Sequence, residues 1–254
     1  MRMTSLLIGS LFLVGCGDDG GSNSGIDAPG GVDSSVDIDA APTADAPTAP
    51  AMITISGVAT ERTLGGSPVI VGATIAAYRA TNEATPVAMA TTDAQGKFTM
   101  TISTGGFALE GYLKATKAGM VVTYLYAPAP IAMDMANVPI NMVTPGNYGT
   151  LYTITQVGEQ ANTGIVAMVV TGANTMTPVA GAMMTSMPSG TYKYNASGIP
   201  SSTATVTGTD GVAYFLNAPL GTVKVGAQST GMAWQSHGVK VFTSSLTTTL
   251  VVPQ

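Results

Sequence analysis

Histidine and cysteine each occur once in the sequence, as His237 and Cys16. One residue of each type cannot supply the set of nitrogen and sulfur ligands that a zinc ion needs, and a single cysteine cannot form a disulfide within the chain. His237 follows Ser236 directly, but nucleophilic catalysis also needs a third group that orients the imidazole, and the sequence assigns none. We interpret His237 as a residue at the surface or at a strand end.

Motifs for common enzyme reactions are absent from the sequence. It has no Gly-x-Ser-x-Gly nucleophile turn, no Gly-x-x-x-x-Gly-Lys phosphate loop and no His-Glu-x-x-His zinc motif. The 15 methionines could offer thioethers to Cu(I), but they also suit the core of a chain with only 6% aromatic residues. Nine Lys and Arg residues make no basic patch for nucleic acid. We predict that the protein is not an enzyme and has no catalytic residue, metal site or cofactor.

The N-terminal segment carries a short apolar run over residues 6–15, preceded by Arg2. A membrane-spanning helix needs about 20 apolar residues, so this run predicts a cleaved signal peptide over residues 1–15. The end of the run resembles the lipobox of bacterial lipoproteins, formed here by Leu13, Val14, Gly15 and Cys16. The resemblance implies a diacylglyceryl group on the Cys16 thiol, which would anchor the chain in a membrane. A secreted protein with an unmodified Cys16 is the alternative.

The residues after Cys16 bear on the destination of such a lipoprotein. An Asp directly after the lipidated cysteine retains these proteins at the inner membrane, but here Gly17 takes that place and Asp18 follows. We therefore expect a lipid-anchored protein of the cell envelope, delivered to the outer membrane.

Residues 16–51 have the composition of a disordered acidic tether. Seven of the 14 acidic residues, and no basic residue, lie in this segment, which also contains repeated Asp-Ala-Pro units. Low hydrophobicity, charge of one sign and frequent Pro and Gly argue against a packed core. Asp33, Asp37 and Asp39 approach the spacing of a calcium loop, but the central Gly and the final Glu of that loop are missing. A solvated spacer is the favoured interpretation.

From residue 52 onward the sequence has the pattern of an all-β protein. Apolar and polar residues alternate with period two over 53–58, 87–91 and 97–102, with Gly and Pro between the runs. The second half repeats the order of the first, because residues 178–182 echo 68–73 and residues 209–215 echo 92–98. We predict two tandem Greek-key β-sandwiches, residues 52–144 and 160–254, that melt semi-independently, with an insert at 188–202 in the second.

The repeated motifs also carry a family resemblance. They are a Pro segment that ends in Gly-Ala, a Thr-Asp turn that leads into a strand with Phe, and a glycine that starts a strand, as in Gly111-Tyr112. The second half departs from the pattern in its turn, shortened to Asp210-Gly211, and in its insert. In these motifs each half resembles the carboxypeptidase regulatory-like, or transthyretin-like, β-sandwich. The resemblance implies a seven-stranded Greek-key module that usually serves as an accessory rather than as a catalyst.

The turn motifs also have a direct physical interpretation. A carboxylate at the start of a tight turn can accept a backbone N–H two residues on, and glycine can take positive φ at no steric cost. We interpret four residues as turn formers on this basis, namely Asp93, Gly96, Asp210 and Gly211. Phe98 and Phe215 begin the next strands and should point into the cores.

Residues 145–159 are predicted to link the two domains through a short helix over 148–157. Pro145 and Gly146 end the preceding strand, and Asn147 would then cap the helix. One helical face would carry Leu151, Ile154 and Thr155, and we expect this helix to pack against a sheet edge.

Three aromatic residues are candidates for ligand binding, namely Tyr192, Tyr194 and Trp234. The two tyrosines lie in the insert and share one face of an extended segment, and Trp234 lies in another loop-like stretch. The alternative is that the tyrosines cover a sheet edge and Trp234 fills the core. We predict a structural or protein-interaction module of the envelope, with a carbohydrate-binding module as the alternative and an accessory domain of a peptidase-type system as a remote one. Its partners would be the membrane, through the lipid, and envelope proteins or glycans.

Overall fold

The structure, a computed structural model, describes residues 48–172 and 177–253. The predicted signal peptide, the lipobox with Cys16 and most of the predicted tether lie outside the described residues. Within them the prediction of an all-β fold is confirmed, since the elements are sixteen strands and one short helix.

The first repeat is a seven-stranded sandwich. Its strands are β1 (Met52–Glu61), β2 (Thr74–Arg79), β3 (Ala88–Thr91), β4 (Lys97–Ser103), β5 (Gly111–Thr116), β6 (Thr123–Tyr126) and β7 (Met135–Met142). The sheet β4-β1-β7 faces the strands β6-β5-β2-β3. Alternation builds the core, because Phe98, Met100 and Ile102 on β4 are buried while the residues between them are exposed.

The second repeat follows the helix α1 (Pro145–Thr155) and a loop, and it uses nine strands. They are β8 (Thr163–Val170), β9 (Met183–Met187), β10 (Thr191–Ala196), β11 (Ile199–Ser201), β12 (Val212–Pro219), β13 (Gly221–Ser229), β14 (Met232–Ala233), β15 (His237–Val241) and β16 (Leu246–Val251). Strand β8 pairs with β12 and, in parallel, with β16, as β1 pairs with β4 and, in parallel, with β7. The two repeats therefore share one strand topology in this sheet.

The two repeats differ in the pairing of one strand, which is β3 after β2 in the first repeat and β10 after β9 in the second. In the first repeat the corresponding strand, β3, pairs with β2 and extends its sheet. In the second repeat β10 pairs with β12 in the opposite sheet, and β11 pairs with β10. The predicted insert at 188–202 is thus a β-hairpin, and one edge of β9 has no neighbouring strand within the described residues.

A single sheet of nine strands runs through both repeats, in the order β11-β10-β12-β8-β16-β6-β5-β2-β3. The join is parallel pairing of β16 with β6, from Leu246 opposite Thr123 to Thr249 opposite Tyr126. At this join Leu125 packs against the core of the first repeat and Tyr126 against the core of the second. The two cores therefore lie on opposite faces of the shared sheet. The division into domains at residues 144 and 160 stays a prediction.

Helix α1 (Pro145–Thr155) starts three residues earlier than predicted. Thr144 caps it, its hydroxyl accepting the Asn147 N–H at 3.2 Å, because Pro145 fits the first helical position, which needs no N–H bond. The prediction of Asn147 as the cap is therefore wrong. The buried residues of α1 are Tyr148, Tyr152 and Thr155, so of the predicted face only Thr155 is fully buried. The two tyrosines pack with Ile165, Leu216 and Leu246 on the face of the shared sheet, and α1 also contacts β11 at its edge.

Candidate functional site

The three predicted ligand-binding rings line the core of the second repeat. Trp234 is 4% exposed and its Nε1 donates to the Thr171 carbonyl at 2.8 Å. Tyr194 is also 4% exposed, and its hydroxyl accepts the Met184 N–H at 3.0 Å. Tyr192 is half-buried. The interpretation of these rings as an exposed ligand site is therefore wrong, because a sugar or partner could not stack on buried faces.

The burial of the tyrosines follows from the strand that changed sheets. Since β10 lies in the opposite sheet, the edge of β9 lacks the strand that covers β2 in the first repeat. The Tyr194 hydroxyl takes the Met184 N–H, and the Tyr192 hydroxyl lies 2.8 Å from Ser186 Oγ. The Tyr194 hydroxyl thus satisfies a backbone N–H that a neighbouring strand would otherwise pair.

The two predicted turn acids are engaged by their own turns. Asp93 Oδ1 accepts N–H groups from Gln95 at 2.9 Å and Lys97 at 2.8 Å. Asp210 Oδ1 accepts the Val212 N–H at 3.2 Å, and Asn195 Nδ2 donates to its Oδ2 at 2.7 Å. These bonds hold both carboxylates in structural roles.

The glycines of these turns have the backbone geometry that excludes a side chain. Gly96 has φ of 71° and Gly211 has φ of 66°. A Cβ on Gly96 would lie 2.8 Å from the Ala59 carbonyl oxygen, and one on Gly211 would lie 2.5 Å from that of Val170. Each turn is therefore packed tightly against the first strand of its own repeat.

His237 bridges the two repeats through a threonine. Its Nε2 lies 2.7 Å from Thr249 Oγ1 on β16, and that hydroxyl donates to the Tyr126 carbonyl on β6 at 3.0 Å. Which of the two groups donates in the His237–Thr249 hydrogen bond depends on the tautomer of the ring. Burial is the main cause that lowers the pKa of His237 below 6.5. This imidazole therefore joins strands through the Thr249 hydroxyl.

Beside His237, five rings gather where the repeats meet, and we call them the seam cluster: Tyr78, Tyr112, Tyr124, Tyr126 and Phe242. Tyr124 from β6 stacks on Phe242 of the second repeat with ring centroids 4.0 Å apart and an interplanar angle of 16°. Tyr112 contacts all four other rings at centroid distances of 5.1–6.3 Å. Such pairs stabilise by about 0.5–1.5 kcal/mol each beyond their burial.

Charges at the edge of the seam cluster also link the repeats. Lys240 of β15 forms an ion pair with Glu83 of the first repeat. The Lys240 ammonium lies 5.3 Å from the centroid of the Phe242 ring. Burial, and then the nearby Glu83 charge, raise the pKa of Tyr112 to about 12, so this phenol stays neutral near pH 7.

Sequence reasoning could have predicted only one feature of the seam cluster, the shared strand face of two of its rings. Tyr124 and Tyr126 are two residues apart, so they share a face of a strand. No local pattern indicates that Phe242, in the other repeat, would cover that face. A small cavity of about 140 Å³ lies beside the cluster and is lined by Glu110, Tyr126 and His237, among others.

Across residues 48–172 and 177–253, no three acidic, histidine or cysteine side chains converge where they could hold a metal ion. No helix in the same ranges is long and apolar enough to cross a bilayer.

Comparisons with known proteins give weak similarities. No protein-family model matches the chain, and no curated protein matches it significantly. Similar solved structures include the Bacillus anthracis TIE protein, at 12% identity and a TM-score of 0.26. The similarity covers 80% of this chain and 34% of that protein. The minor pilin GBS52 of Streptococcus agalactiae has 14% identity and a TM-score of 0.27, covering 79% of this chain and 95% of that one.

The shaft pilin SpaA of Lactobacillus rhamnosus GG has 13% identity and a TM-score of 0.23, covering 82% of this chain and 98% of that one. Similarity at this level does not carry a function from these proteins to this chain.

Proposed function

We propose that the chain is a lipid-anchored protein of the cell envelope whose folded part is a non-enzymatic structural or protein-interaction module. The observation that carries the proposal is the position of Cys16, the only cysteine, at the end of a lipobox-like run and before an acidic, Pro-rich segment. Two or more acyl chains on that residue would anchor the protein stably, whereas one chain alone gives marginal binding.

The construction of the folded part supports a load-bearing or scaffold role. A sheet that runs through both repeats, together with the seam cluster, lets one repeat transmit a displacement to the other as a single body. The acids and the histidine that the sequence offered for chemistry are held by structural hydrogen bonds. The carbohydrate-binding alternative lacks the aromatic platform on which it rested, because Tyr194 and Trp234 are buried.

The test of the anchor compares single substitutions at the two residues that follow the predicted cleavage position. Cys16→Ser removes the thiol, and Gly17→Ser changes the neighbouring residue while leaving the thiol in place. We expect wild type and Gly17→Ser to incorporate labelled fatty acid and to sediment with membranes, whereas Cys16→Ser does neither. Wild-type protein found free in the medium without label would contradict the lipoprotein proposal.

A second experiment separates the two kinds of surface module. Residues 52–254 are presented to a glycan array and to envelope polysaccharides, with the Phe107→Ala variant beside it because Phe107 is the largely exposed aromatic ring of the described residues. We expect no retention on glycans. Specific retention that is lost in Phe107→Ala would replace the leading proposal by the carbohydrate-binding one.

A further inference from the structure

The chain enters the folded part at a defined place. Thr48 pairs with Phe107 in an antiparallel bridge, and the Ala49 N–H donates to the Gly106 carbonyl at 2.9 Å. The Thr104 hydroxyl donates to the Pro50 carbonyl. The segment that leads from the predicted anchor is therefore fastened to the loop after β4 before β1 begins.

Exposed apolar side chains surround this entry point. Met52 is 59% exposed, Phe107 58% and Met133 47%. An antiparallel bridge joins Leu109 to Ile131, with hydrogen bonds of 2.8 and 2.9 Å, so Phe107 and Met133 each lie two residues from this bridge. We call these three side chains the entry face.

The position of Met52 follows from the first strand. Asp134, the neighbour of Met133, accepts the Thr54 N–H at 2.7 Å, which places Met133 beside the start of β1. Met52 lies at that start, opposite Ser103 of β4. The three apolar side chains thus come from three chain segments that meet at one end of the first repeat.

The charges around the entry face are few and of both signs. The Arg79 guanidinium donates to the carbonyls of Ser103 and Thr104 at 3.2 and 3.1 Å. The Asp134 carboxylate accepts a backbone N–H of β1. No lysine cluster that would attract anionic headgroups lies among the residues that form this end, so a contact with lipid would be apolar in origin.

We propose that the entry face rests on the bilayer to which Cys16 anchors the chain, with Phe107, Met52 and Met133 placed among the lipid headgroups. The inference rests on the proposed lipid anchor. Cys16 and Thr48 are 32 residues apart, so the connecting segment reaches at most about 110 Å. Contact is therefore allowed but not enforced by the connection. Because the anchor holds the folded part near the bilayer, the effective concentration of the entry face at the membrane is high. A weak apolar contact is then enough to keep this face on the lipid.

The opposite end of the first repeat provides a matched control surface. Leu64 is 65% exposed, and Val69 and Val71 are also largely exposed. Thr60, near the end of β1, bridges to Val69, so these residues lie one strand length away from Met52. The control surface is as apolar as the entry face but is far from the point where the chain enters.

The experiment uses the full chain, lipidated on Cys16 and incorporated in phosphatidylcholine vesicles. Phe107→Cys and, separately, Leu64→Cys each supply one free thiol for an environment-sensitive NBD label. We expect the label at 107 to emit at shorter wavelength and to be quenched by nitroxide lipids, and the label at 64 to emit as in water without quenching. Adding Met52→Ser and Met133→Ser should reduce the quenching at 107, whereas Val69→Ser and Val71→Ser should leave it unchanged.

Three results would overturn the inference. Water-like emission from both labels, on protein that floats with the vesicles, rejects lipid contact while the proposed anchor stands. A blue shift at 107 without nitroxide quenching shows that a protein segment or a second copy covers the entry face. Protein that does not float with the vesicles refutes the proposed anchor, and the inference fails with it.

Discussion

Phe98 and Phe215 occupy equivalent strands of the two repeats and test whether the repeats unfold together. Both rings are fully buried, each in the core of its own repeat. Replacing a buried Phe by Ala costs about 3–5 kcal/mol. Phe215 also makes an edge contact with Tyr192 at 5.5 Å, so we expect Phe215→Ala to lie near the upper end of that range.

If the two sandwiches were independent, each substitution would lower the unfolding temperature of its own repeat only. Because one sheet runs through both repeats, we expect them to unfold together. We expect a single calorimetric transition in wild type and in each variant. The midpoint temperature of each variant should be lower than that of wild type by roughly 6–20 °C, at about 2–4 °C per kcal/mol. The two losses should add in the double variant, because the rings lie in separate cores. Phe107→Ala removes the same ring from an exposed position and should shift the transition little. Two transitions, with each variant lowering only one, would refute the reasoning.

The join, the histidine and the phenols give three further predictions. The Leu246 N–H bonds to the Val122 carbonyl beside β6, so by alternation the Thr248 N–H also faces β6. Thr248→Pro removes this N–H bond and the bond from the Thr248 hydroxyl to the Tyr124 carbonyl, so it should lower the free energy of unfolding by about 2 kcal/mol. It should also broaden or split the calorimetric transition. Thr248→Val keeps the N–H and should retain one transition; an unsplit transition in the proline variant would place the coupling elsewhere. Because the pKa of His237 is lowered in the folded state, the unfolded chain binds more protons below pH 6.5, and thermal stability should fall as pH drops from that value. His237→Gln should flatten this dependence, and an identical slope in both proteins would show that other groups cause it. The pKa of Tyr112 is raised from 10.0 to about 12, so its contribution is complete below pH 10 and is lost between pH 10 and 12. Absorbance at alkaline pH should show phenols that ionise only as the protein unfolds, and Tyr112→Phe should lessen that alkaline loss.

Local features of the fold could be predicted because they depend on residues close together in the chain. The alternation in β4 fixed which of its residues are buried. The turn at Asp93 and Gly96 uses hydrogen bonds that span two to four residues. Helix α1 was expected on the same grounds, and its cap was misplaced because Thr144 and Asn147 both suit a cap and Pro145 decides between them.

The candidate ligand site could not be predicted because burial of a ring depends on which sheet its strand joins. Tyr192 and Tyr194 share a face of β10, as their spacing required. That face points into the second core only because β10 pairs with β12 and not with β9. The entry face likewise depends on two bridges, Thr48 with Phe107 and Leu109 with Ile131, that no local pattern specifies.

The sequence by itself therefore determined the strand period, the tight turns, the repeat and the residues that suit a lipid anchor, since each follows from composition or from spacing over a few residues. Only the tertiary structure decided that β16 pairs with β6 and that the seam cluster closes over the join. Thr248 and Tyr124, which meet there, are 124 positions apart. Alternation gives every strand two faces and two edges, but which of them is covered, and by what, is fixed by packing between distant segments.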